Sequence, residues 1–376
     1  MRVLHVTQPT VAGVPVVVRG LARDQQEHGW DVAVASPADG DLPGWLADLG
    51  VPHLAWRASR DPGVTVPSEV LRLRRLVREV DPDVVHLHSA KAGLAGRLAL
   101  RGARPTVFQP HAWSFEAAQG PVARLARLWE RSGTQWTHLL VCVSEDERRR
   151  GEDVGIRART VVLPNGIDLE RYRSTGAAER VTARRALGLE DRPTVVCIGR
   201  LAQQKGQDVL LESLPAVRSR VPDVQVVLVG DGPDADALRS RAGEDVRFVG
   251  AQPDVRPWLT AADVVALPSR WEAGLSLVAM EAMALGRSVV STDVAGARDG
   301  LAGAGAVVPR EDAAALASAL TTRLEDPGLA ESEGRAGRVA VESAHDLAVT
   351  SRRVREAYET VLAGGLPGAG RGPRRP

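Results

Sequence analysis

Two glutamates in the segment 264–298 are placed where a phosphorylated ligand could bind. The apolar run Val264–Leu267 is typical of a buried parallel strand. A glycine-containing loop with Glu272 follows it, and strong helix formers begin at Leu277 and include Glu281. A loop between the carboxyl end of a strand and a helix N-terminus is where open α/β sheets bind phosphates. Because Glu281 is surrounded by apolar or small residues, we expect its carboxylate to lie in a crevice with a partner.

A second group of residues that could bind phosphate comes earlier in the chain. The apolar run Thr194–Gly199 predicts a strand that ends in a glycine, and Arg200 and Lys205 lie in the turn before the next helical segment. Two cations beside a helix N-terminus are suited to binding a diphosphate. Gly230 ends the following strand, where a glycine either lets the backbone approach a ligand or makes a simple turn.

Histidines lie at the ends of two predicted strands in the first half of the chain. His111 follows one strand, and His86 and His88 occupy alternate positions at the end of another. Two alternate histidines could indicate a metal site, but no carboxylate or third ligand is spaced to complete one. The loop after the first strand contains a single glycine, Gly13, which by itself says little about a ligand.

The composition limits the class of protein. The chain has 376 residues, 44% of them hydrophobic, and this length suits two α/β domains better than one core. The formal net charge of +1 gives no reason to expect nucleic acid as a partner. We expect a cytoplasmic protein, because no apolar run is long enough to span a membrane and the first apolar stretch is too short for a signal peptide.

Strand and helix patterns alternate in both halves of the chain. This alternation predicts right-handed βαβ units around a parallel sheet in each half. The polar stretch between the two halves is the expected linker, and the Gly-, Pro- and Arg-rich end has nothing to bury. The expected boundaries are 1–172 for the first Rossmann-like domain, 173–192 for the linker, 193–345 for the second domain, 346–362 for a C-terminal helix that packs back on the first domain, and 363–376 for a disordered tail.

The segment around the two glutamates resembles the signature of the retaining GT-B glycosyltransferases of family 4, also called the glycosyltransferase group 1 family. Glu281 and the Ala-Met-Ala after it match directly, as does the Gly-Arg-Leu-x-x-x-Lys-Gly spacing of Arg200 and Lys205. In the family the two acids are eight positions apart, whereas Glu272 and Glu281 are nine apart. Either this loop contains one extra residue or Ala273 stands at the position of the first acid. The resemblance implies an α/β protein of GT-B architecture, with two Rossmann-like domains whose parallel sheets face each other across a cleft.

The resemblance also implies an activity and a role for each site residue. The expected reaction moves a sugar, with retention, from a nucleoside-diphosphate sugar to a hydroxyl of a glycan, lipid-linked or small-molecule acceptor. A UDP-sugar is favoured as donor, with GDP-mannose next. Arg200 and Lys205 would hold the diphosphate, Glu281 the ribose and His111 the donor sugar. No cofactor or metal is expected, because the two cations and helix-terminal amides can stabilise the leaving group. Catalytic roles are expected for His111, Arg200, Lys205 and Glu272, and donor binding for Gly13, Gly199, Gly230, Gly274, Leu275, Ser276, Leu277 and Glu281.

Two other classes of protein share part of this sequence pattern. A nicotinamide oxidoreductase would also have two α/β domains, but no strand is followed by Gly-x-Gly-x-x-Gly with an acid about twenty residues later. A GT-B-shaped nucleotide-sugar epimerase, or a catalytically silent sugar-nucleotide binder, stays open because of the extra residue in the acidic loop.

The segment 122–131 has two interpretations. Its arginines recur at helical spacing, and Leu125, Leu128 and Trp129 lie on a different face. The favoured interpretation is an ordinary helix that packs its apolar face on the sheet. In the other, the helix docks on an anionic surface at the inner face of the membrane, beside a lipid-linked acceptor, as in many relatives. The three arginines are Arg124, Arg127 and Arg131.

Overall fold

The chain forms two compact units. The computed structural model describes residues 1–116, 118–243 and 245–364. The first unit contains residues 1–164 and the chain from 348 onward, and the second contains residues 165–347. The expected disordered tail, 363–376, lies outside the described residues from position 365 on. None of the described helices combines the length and the apolar character needed to span a bilayer.

The first unit is a parallel sheet with helices on its faces. Its strands are β1 (Arg2–Thr7), β2 (Asp31–Ser36), β3 (His53–Ala55), β4 (Val84–His88), β5 (Thr106–Gln109), β6 (Leu139–Cys142) and β7 (Thr160–Val162). Its helices in the first part of the chain are α1 (Gly13–Glu27), α2 (Leu42–Asp48), α3 (Val66–Val80), α4 (Ser89–Leu100), α5 (Gly120–Gly133) and α6 (Glu145–Asp153).

The second unit has the same architecture. Its helices are α7 (Ala177–Ala186), α8 (Gln207–Arg218), α9 (Ala235–Arg241), α10 (Arg256–Ala261), α11 (Leu277–Ala284), α12 (Ala297–Leu301), α13 (Ala313–Glu325) and α14 (Pro327–Ala344). Its strands are β8 (Thr194–Ile198), β9 (Gln225–Val229), β10 (Val246–Phe248), β11 (Val264–Leu267), β12 (Ser288–Thr292) and β13 (Gly305–Val308). A last helix, α15 (Leu347–Ala363), returns to the first unit, where Val354, Tyr358 and Val361 join the core beside Val3 and Val84.

Each sheet has a point where the strand order reverses. Among the described strands the first sheet runs β3-β2-β1-β4-β5-β6-β7 and the second β10-β9-β8-β11-β12-β13, and all the pairs are parallel. The reversal falls between β1 and β4 in one sheet and between β8 and β11 in the other. Open α/β sheets bind ligands at the carboxyl ends of the strands that flank such a point.

Three elements differ from the sequence-based expectation. The short edge strand β3 and the helix α2 were not predicted. The expected linker, 173–192, contains the helix α7, which belongs to the second unit. This helix is anchored by a buried arginine: Arg184 donates to Asp263 at 2.6 Å and to Asp191 at 2.9 Å.

Candidate functional site

The loops after β8 and β11 are tied together at the switch point of the second sheet. Arg270, in the loop after β11, donates its backbone N–H to the carbonyl of Gln204 at 2.7 Å, and its guanidinium donates to Asp208 at 2.8 Å. Gly206 has a φ of 63°, and a Cβ added to it would lie 2.0 Å from the carbonyl oxygen of Pro268. Glycine is therefore required for this close approach of the two loops.

An ion pair joins the same two loops. Lys205 Nζ lies 2.5 Å from Glu272 Oε1, and the hydroxyl of Ser269 donates to that oxygen at 2.8 Å. The lysine and glutamate side chains are 25% and 13% exposed, so the pair is shielded from solvent without being sealed. The Glu272 carboxylate is thus fixed beside the predicted diphosphate-binding lysine, whereas Ala273 brings only a methyl group to this loop.

Two hollows lie beside this ion pair and share one wall. The residues that line both are Leu267, Ser269, Glu272 and Ser276, with Lys205 added in one hollow and Gly274 and Leu275 in the other. Ser276 is also the N-cap of α11, because its hydroxyl accepts a hydrogen bond from the amide of Ala279 at 3.2 Å. The structure therefore brings five predicted site residues together beside Leu277, at the start of α11. They are Lys205, Glu272, Gly274, Leu275 and Ser276.

Three other residues predicted to bind the donor lie near these hollows but do not line them: Gly199, Arg200 and Gly230. Gly230, after β9, has a φ of 140°, and an added Cβ would lie 2.1 Å from the carbonyl oxygen of Gly199. Arg200 is half-buried at the end of β8, and its carbonyl accepts a hydrogen bond from Gln207 Nε2 at 3.1 Å. The loops after β8 and β9 can pack this closely because residue 230 is a glycine. This packing is a sufficient reason for the glycine, without contact to a ligand.

Glu281 is buried on α11 and has a partner that the sequence did not reveal. The hydroxyl of Tyr172 donates to Glu281 Oε1 at 2.7 Å. Burial raises the pKa of Glu281 to about 7, although the tyrosine hydrogen bond and the charge of Arg171 lower it. The expectation that this carboxylate has a partner is therefore correct.

Backbone strain clusters at the carboxyl edge of the first sheet. Non-glycine residues with positive φ follow each of the neighbouring strands β1, β4 and β5: Ala12 (69°), Ser89 (73°), His111 (53°) and Ala112 (97°). Gly13, which begins α1, is next to the first of them. Strained conformations of this kind cost about 1–3 kcal/mol each and tend to be kept at functional sites.

A buried glutamate holds the strained turn at His111. Glu147 Oε1 accepts the backbone N–H of Ala112 at 2.8 Å, and its Oε2 accepts that of Val143 at 2.7 Å. Burial raises the pKa of Glu147 to about 7, while these two backbone donors oppose the rise. Glu147 was not predicted from the sequence. Its placement in the first turn of α6, three residues after the N-cap Ser144, is a local signal that could have found it.

Four histidines meet at the switch point of the first sheet. His5 on β1 is the strand partner of His86 on β4, and His88 lies two residues further along. The ligand atoms of these three histidines all lie within 4.8 Å of one another, so the group could hold a metal ion. His111 joins them, with its Nε2 at 3.1 Å from His88 Nδ1. His5, on the neighbouring strand, is therefore the third histidine that sequence spacing did not supply.

Helix α5 turns its apolar side outward. Val122, Leu125 and Leu128 are 65%, 68% and 56% exposed. The buried side includes Glu130, whose Oε2 accepts a hydrogen bond from the buried Arg97 at 2.7 Å. The exposure of the two leucines differs from the favoured expectation that the apolar face packs on the sheet, whereas Trp129 is half-buried and lies against the buried Arg97. The exposed arginines continue the apolar strip on the same outer side: Arg124, Arg127 and Arg131.

Comparisons with known proteins agree with the motif resemblance. Residues 192–326 match the family described as glycosyl transferases group 1, and residues 11–171 match glycosyltransferase family 4. A GDP-mannose-dependent alpha-(1-6)-phosphatidylinositol monomannoside mannosyltransferase of Mycolicibacterium smegmatis is 35% identical over 290 residues, 72% of this chain and 75% of that protein. A phosphatidyl-myo-inositol mannosyltransferase of Mycobacterium leprae is 32% identical over 371 residues, 94% of each chain.

Solved structures share the fold over nearly the whole chain. The crystal structure of Anabaena Alr3699/HepE in complex with UDP and glucose has a TM-score of 0.84 at 23% identity, and covers 96% of this chain and 100% of that one. WaaG, a glycosyltransferase involved in lipopolysaccharide biosynthesis, has a TM-score of 0.76 at 19% identity, with coverage of 96% and 100%.

The fold of this chain is therefore GT-B, as expected. The chain belongs to the glycosyltransferase group 1 family, and its activity is glycosyl transfer from a nucleotide-sugar donor.

Proposed function

We propose that this chain is a retaining, metal-independent mannosyltransferase that moves mannose from GDP-mannose to a hydroxyl of an inositol-phospholipid acceptor. The observation that carries the proposal is the Lys205–Glu272 ion pair at the two hollows beside the start of α11. Two relatives support the choice of sugar and acceptor, since their names specify mannosyl transfer to phosphatidyl-myo-inositol or its monomannoside. For that reason we place GDP-mannose ahead of the UDP-sugar that sequence analysis favoured.

The chemistry of the leaving group supports independence from metal. Negative charge develops on the departing diphosphate, and Arg200, Lys205 and the first amides of α11 can stabilise it. Magnesium is usually held by carboxylates together with substrate phosphates. Among the residues that line the hollows, the one carboxylate is Glu272, and its Oε1 already accepts from Lys205 and Ser269.

The same contacts favour a reaction in which no protein group attacks the sugar. Glu272 is held by a lysine and a serine, which suits a carboxylate that orients sugar hydroxyls. In the proposed step the acceptor oxygen forms the new bond to the anomeric carbon on the face from which the diphosphate departs. The bond between the anomeric carbon and the diphosphate breaks, and the acceptor proton passes to the leaving phosphate oxygen. The configuration is retained because the new bond forms on the face that the diphosphate leaves. His111 would contact the donor sugar, and Glu281 would accept hydrogen bonds from the ribose.

The outer surface of α5 supports a lipid-linked acceptor. An exposed strip of Val122, Leu125 and Leu128 beside three exposed arginines has the composition of a helix that lies in the interface of an anionic membrane. Each cation near such a surface contributes about 1 kcal/mol, so attachment should be reversible and sensitive to salt. Ser89 and Ala90, the half-buried residues directly after β4, would line the acceptor side in the first unit.

The experiment measures transfer from a panel of nucleotide sugars to liposomes that contain phosphatidylinositol. GDP-mannose should be consumed and the lipid mannosylated, and UDP-glucose should not support transfer. The double variant Leu125→Ser/Leu128→Ser should no longer sediment with anionic liposomes, whereas Leu71→Ser, which removes a leucine 66% exposed on α3, should sediment normally. Transfer confined to soluble acceptors would refute the lipid assignment. Donor that is bound but neither hydrolysed nor transferred would favour the silent binder, and an epimerised donor would favour the epimerase.

A further inference from the structure

A row of hydrogen bonds runs from His111 into the core of the first unit. His111 Nε2 lies 3.1 Å from His88 Nδ1, and His88 Nε2 lies 3.0 Å from His5 Nδ1. His5 Nε2 lies 2.9 Å from the side-chain oxygen of Gln25 on α1. Both ring nitrogens of His5 and of His88 are therefore engaged, and the row ends at a side-chain amide.

The row is a consequence of strand pairing. β1 and β4 pair in register, with His5 opposite His86 and Thr7 opposite His88. The imidazoles of His5 and His88 are fully buried, with no exposed surface. Within the described part of the chain, Nδ1 of His111 has no hydrogen-bond partner. The row thus connects the side-chain amide of Gln25 to the imidazole of His111, in the strained turn after β5.

All of these imidazoles are neutral near pH 7. Burial lowers the pKa of His5 to about 4 and that of His111 to about 3, and it lowers the pKa of His88 well below its ordinary value. A neutral imidazole donates from one nitrogen and accepts at the other. Because each ring in the row uses both roles, the direction of one hydrogen bond fixes the direction of all of them.

The amide of Gln25 selects that direction. The side-chain oxygen of Gln25 faces His5, and its Nε2 is buried without a hydrogen-bond partner. In this orientation the amide can only accept from His5, so the proton of His5 lies on Nε2 and its Nδ1 accepts from His88 Nε2. His88 Nδ1 then accepts from His111 Nε2. The remaining nitrogen of His111, Nδ1, is left as an acceptor, which suits a hydroxyl that donates to it.

His86 is a neighbour of the row but not a member of it. Its Nδ1 lies 2.5 Å from the hydroxyl of Tyr358, and its Nε2 is buried without a partner. A metal held by His5, His86 and His88 would have to replace the hydrogen bond between His5 and His88, which is already at normal length. The hydrogen bonds therefore account for the positions of His5 and His88, and no metal is needed to explain them.

We propose that Gln25, His5 and His88 are positioning residues that fix the tautomer of His111, so that its Nδ1 accepts a hydrogen bond from a hydroxyl of the donor sugar. This inference rests on the proposed contact between His111 and the donor. It adds three residues, distant in the sequence, to the set that determines the rate of transfer.

The tautomer can be read directly by nitrogen-15 NMR of the histidine side chains in the full-length protein. We expect His111 to carry its proton on Nε2. Gln25→Met and His88→Phe should release it to a mixture of tautomers. His86→Phe is the matched control, equally buried on the same strand, and should leave the tautomer unchanged. A proton on Nδ1 in the wild-type protein, an equal response to the control, or a stoichiometric metal in the purified protein would overturn the proposal.

A kinetic arm separates this inference from the proposed function. Gln25→Met and His88→Phe should each lower kcat about tenfold, the size expected for one misdirected hydrogen bond, with a smaller change in KM. His86→Phe should keep the wild-type kcat. An unchanged rate in His111→Ala would refute the sugar contact itself. A tautomer that does not respond to Gln25→Met would refute the relay and leave the proposed function standing. Gln25→Met also serves if His88→Phe does not fold.

Discussion

Glu281 should make donor binding depend on pH. Burial raises its pKa to about 7, and Tyr172 donates a hydrogen bond to one of its oxygens. An ionised carboxylate can accept hydrogen bonds from ribose hydroxyls at both oxygens, whereas the protonated group must donate from one of them. We therefore expect the affinity for GDP to rise as the pH increases through about 7.

The size of the effect follows from that pKa. If only the ionised form of Glu281 binds the ribose, the Kd should be about tenfold larger at pH 6 than at pH 8. Folding stability should change in the opposite direction. A carboxyl whose pKa is raised from 4.5 in the unfolded chain to about 7 in the fold stabilises it fully below pH 4.5, and this contribution is lost as the pH rises through 7. At about 1.4 kcal/mol per pKa unit, the loss is about 3 kcal/mol.

Calorimetric titration of GDP at pH 6, 7 and 8 tests this reasoning. The phosphate of GDP itself titrates near pH 6, so Glu281→Gln supplies the matched correction. The wild-type protein should show about a tenfold change beyond that of the variant. Tyr172→Phe removes the hydroxyl that stabilises the ionised form, and should move the midpoint to higher pH. An identical pH dependence in the wild type and Glu281→Gln would refute the ribose role.

Three further predictions concern the residues that hold the donor and the strained turn. Arg200→Ala and Lys205→Ala should each lower turnover by ~10²-fold or more with the fold intact, measured as GDP release, because a preorganised charge is lost from the leaving group; near-normal turnover in both would contradict the assignment. Glu272→Gln should lower turnover far more than Ala273→Ser, and the reverse order would place the first-acid role at Ala273. Glu147→Ala leaves two backbone amides without their acceptor, and should lower the free energy of unfolding by about 2 kcal/mol or more and reduce transfer; denaturant unfolding that matches the wild type would show that the turn is held by other contacts.

Sequence patterns predicted the sheets because strands buried on both faces are continuous apolar runs. β9 and β12 are examples, since every residue of each is buried. The same reasoning missed β3, which has three residues at the sheet edge and a half-buried His53. It also missed α7, because the buried anchor of that helix is Arg184, held by acids, and hydropathy does not detect such an anchor.

Motif spacing identified the loops after β8 and β11, which are predicted to bind the donor. It could do so because the residues in contact there lie only a few positions after a strand ends. Lys205 and Glu272 are examples, and the structure joins them in an ion pair. Spacing could not identify His5 or Tyr172. Their partners are 83 and 109 residues away in the chain and come from strand pairing and helix packing.

Helical periodicity identified α5 but not the side on which it packs. Its buried side is built from small residues and from Glu130, which pairs with Arg97 on α4. A buried ion pair inverts the usual rule that the apolar side faces the core. The leucines were therefore assigned to the wrong side.

The most direct test of the account is the stereochemistry and metal dependence of transfer. Purified protein, treated with EDTA, would be incubated with GDP-mannose and liposomes that contain phosphatidylinositol, and the anomeric configuration of the mannolipid determined by NMR. We expect an α-linked product, formed at the same rate with and without EDTA, because Arg200 and Lys205 stabilise the leaving diphosphate. A β-linked product, or a rate restored only by a divalent metal, would contradict the account.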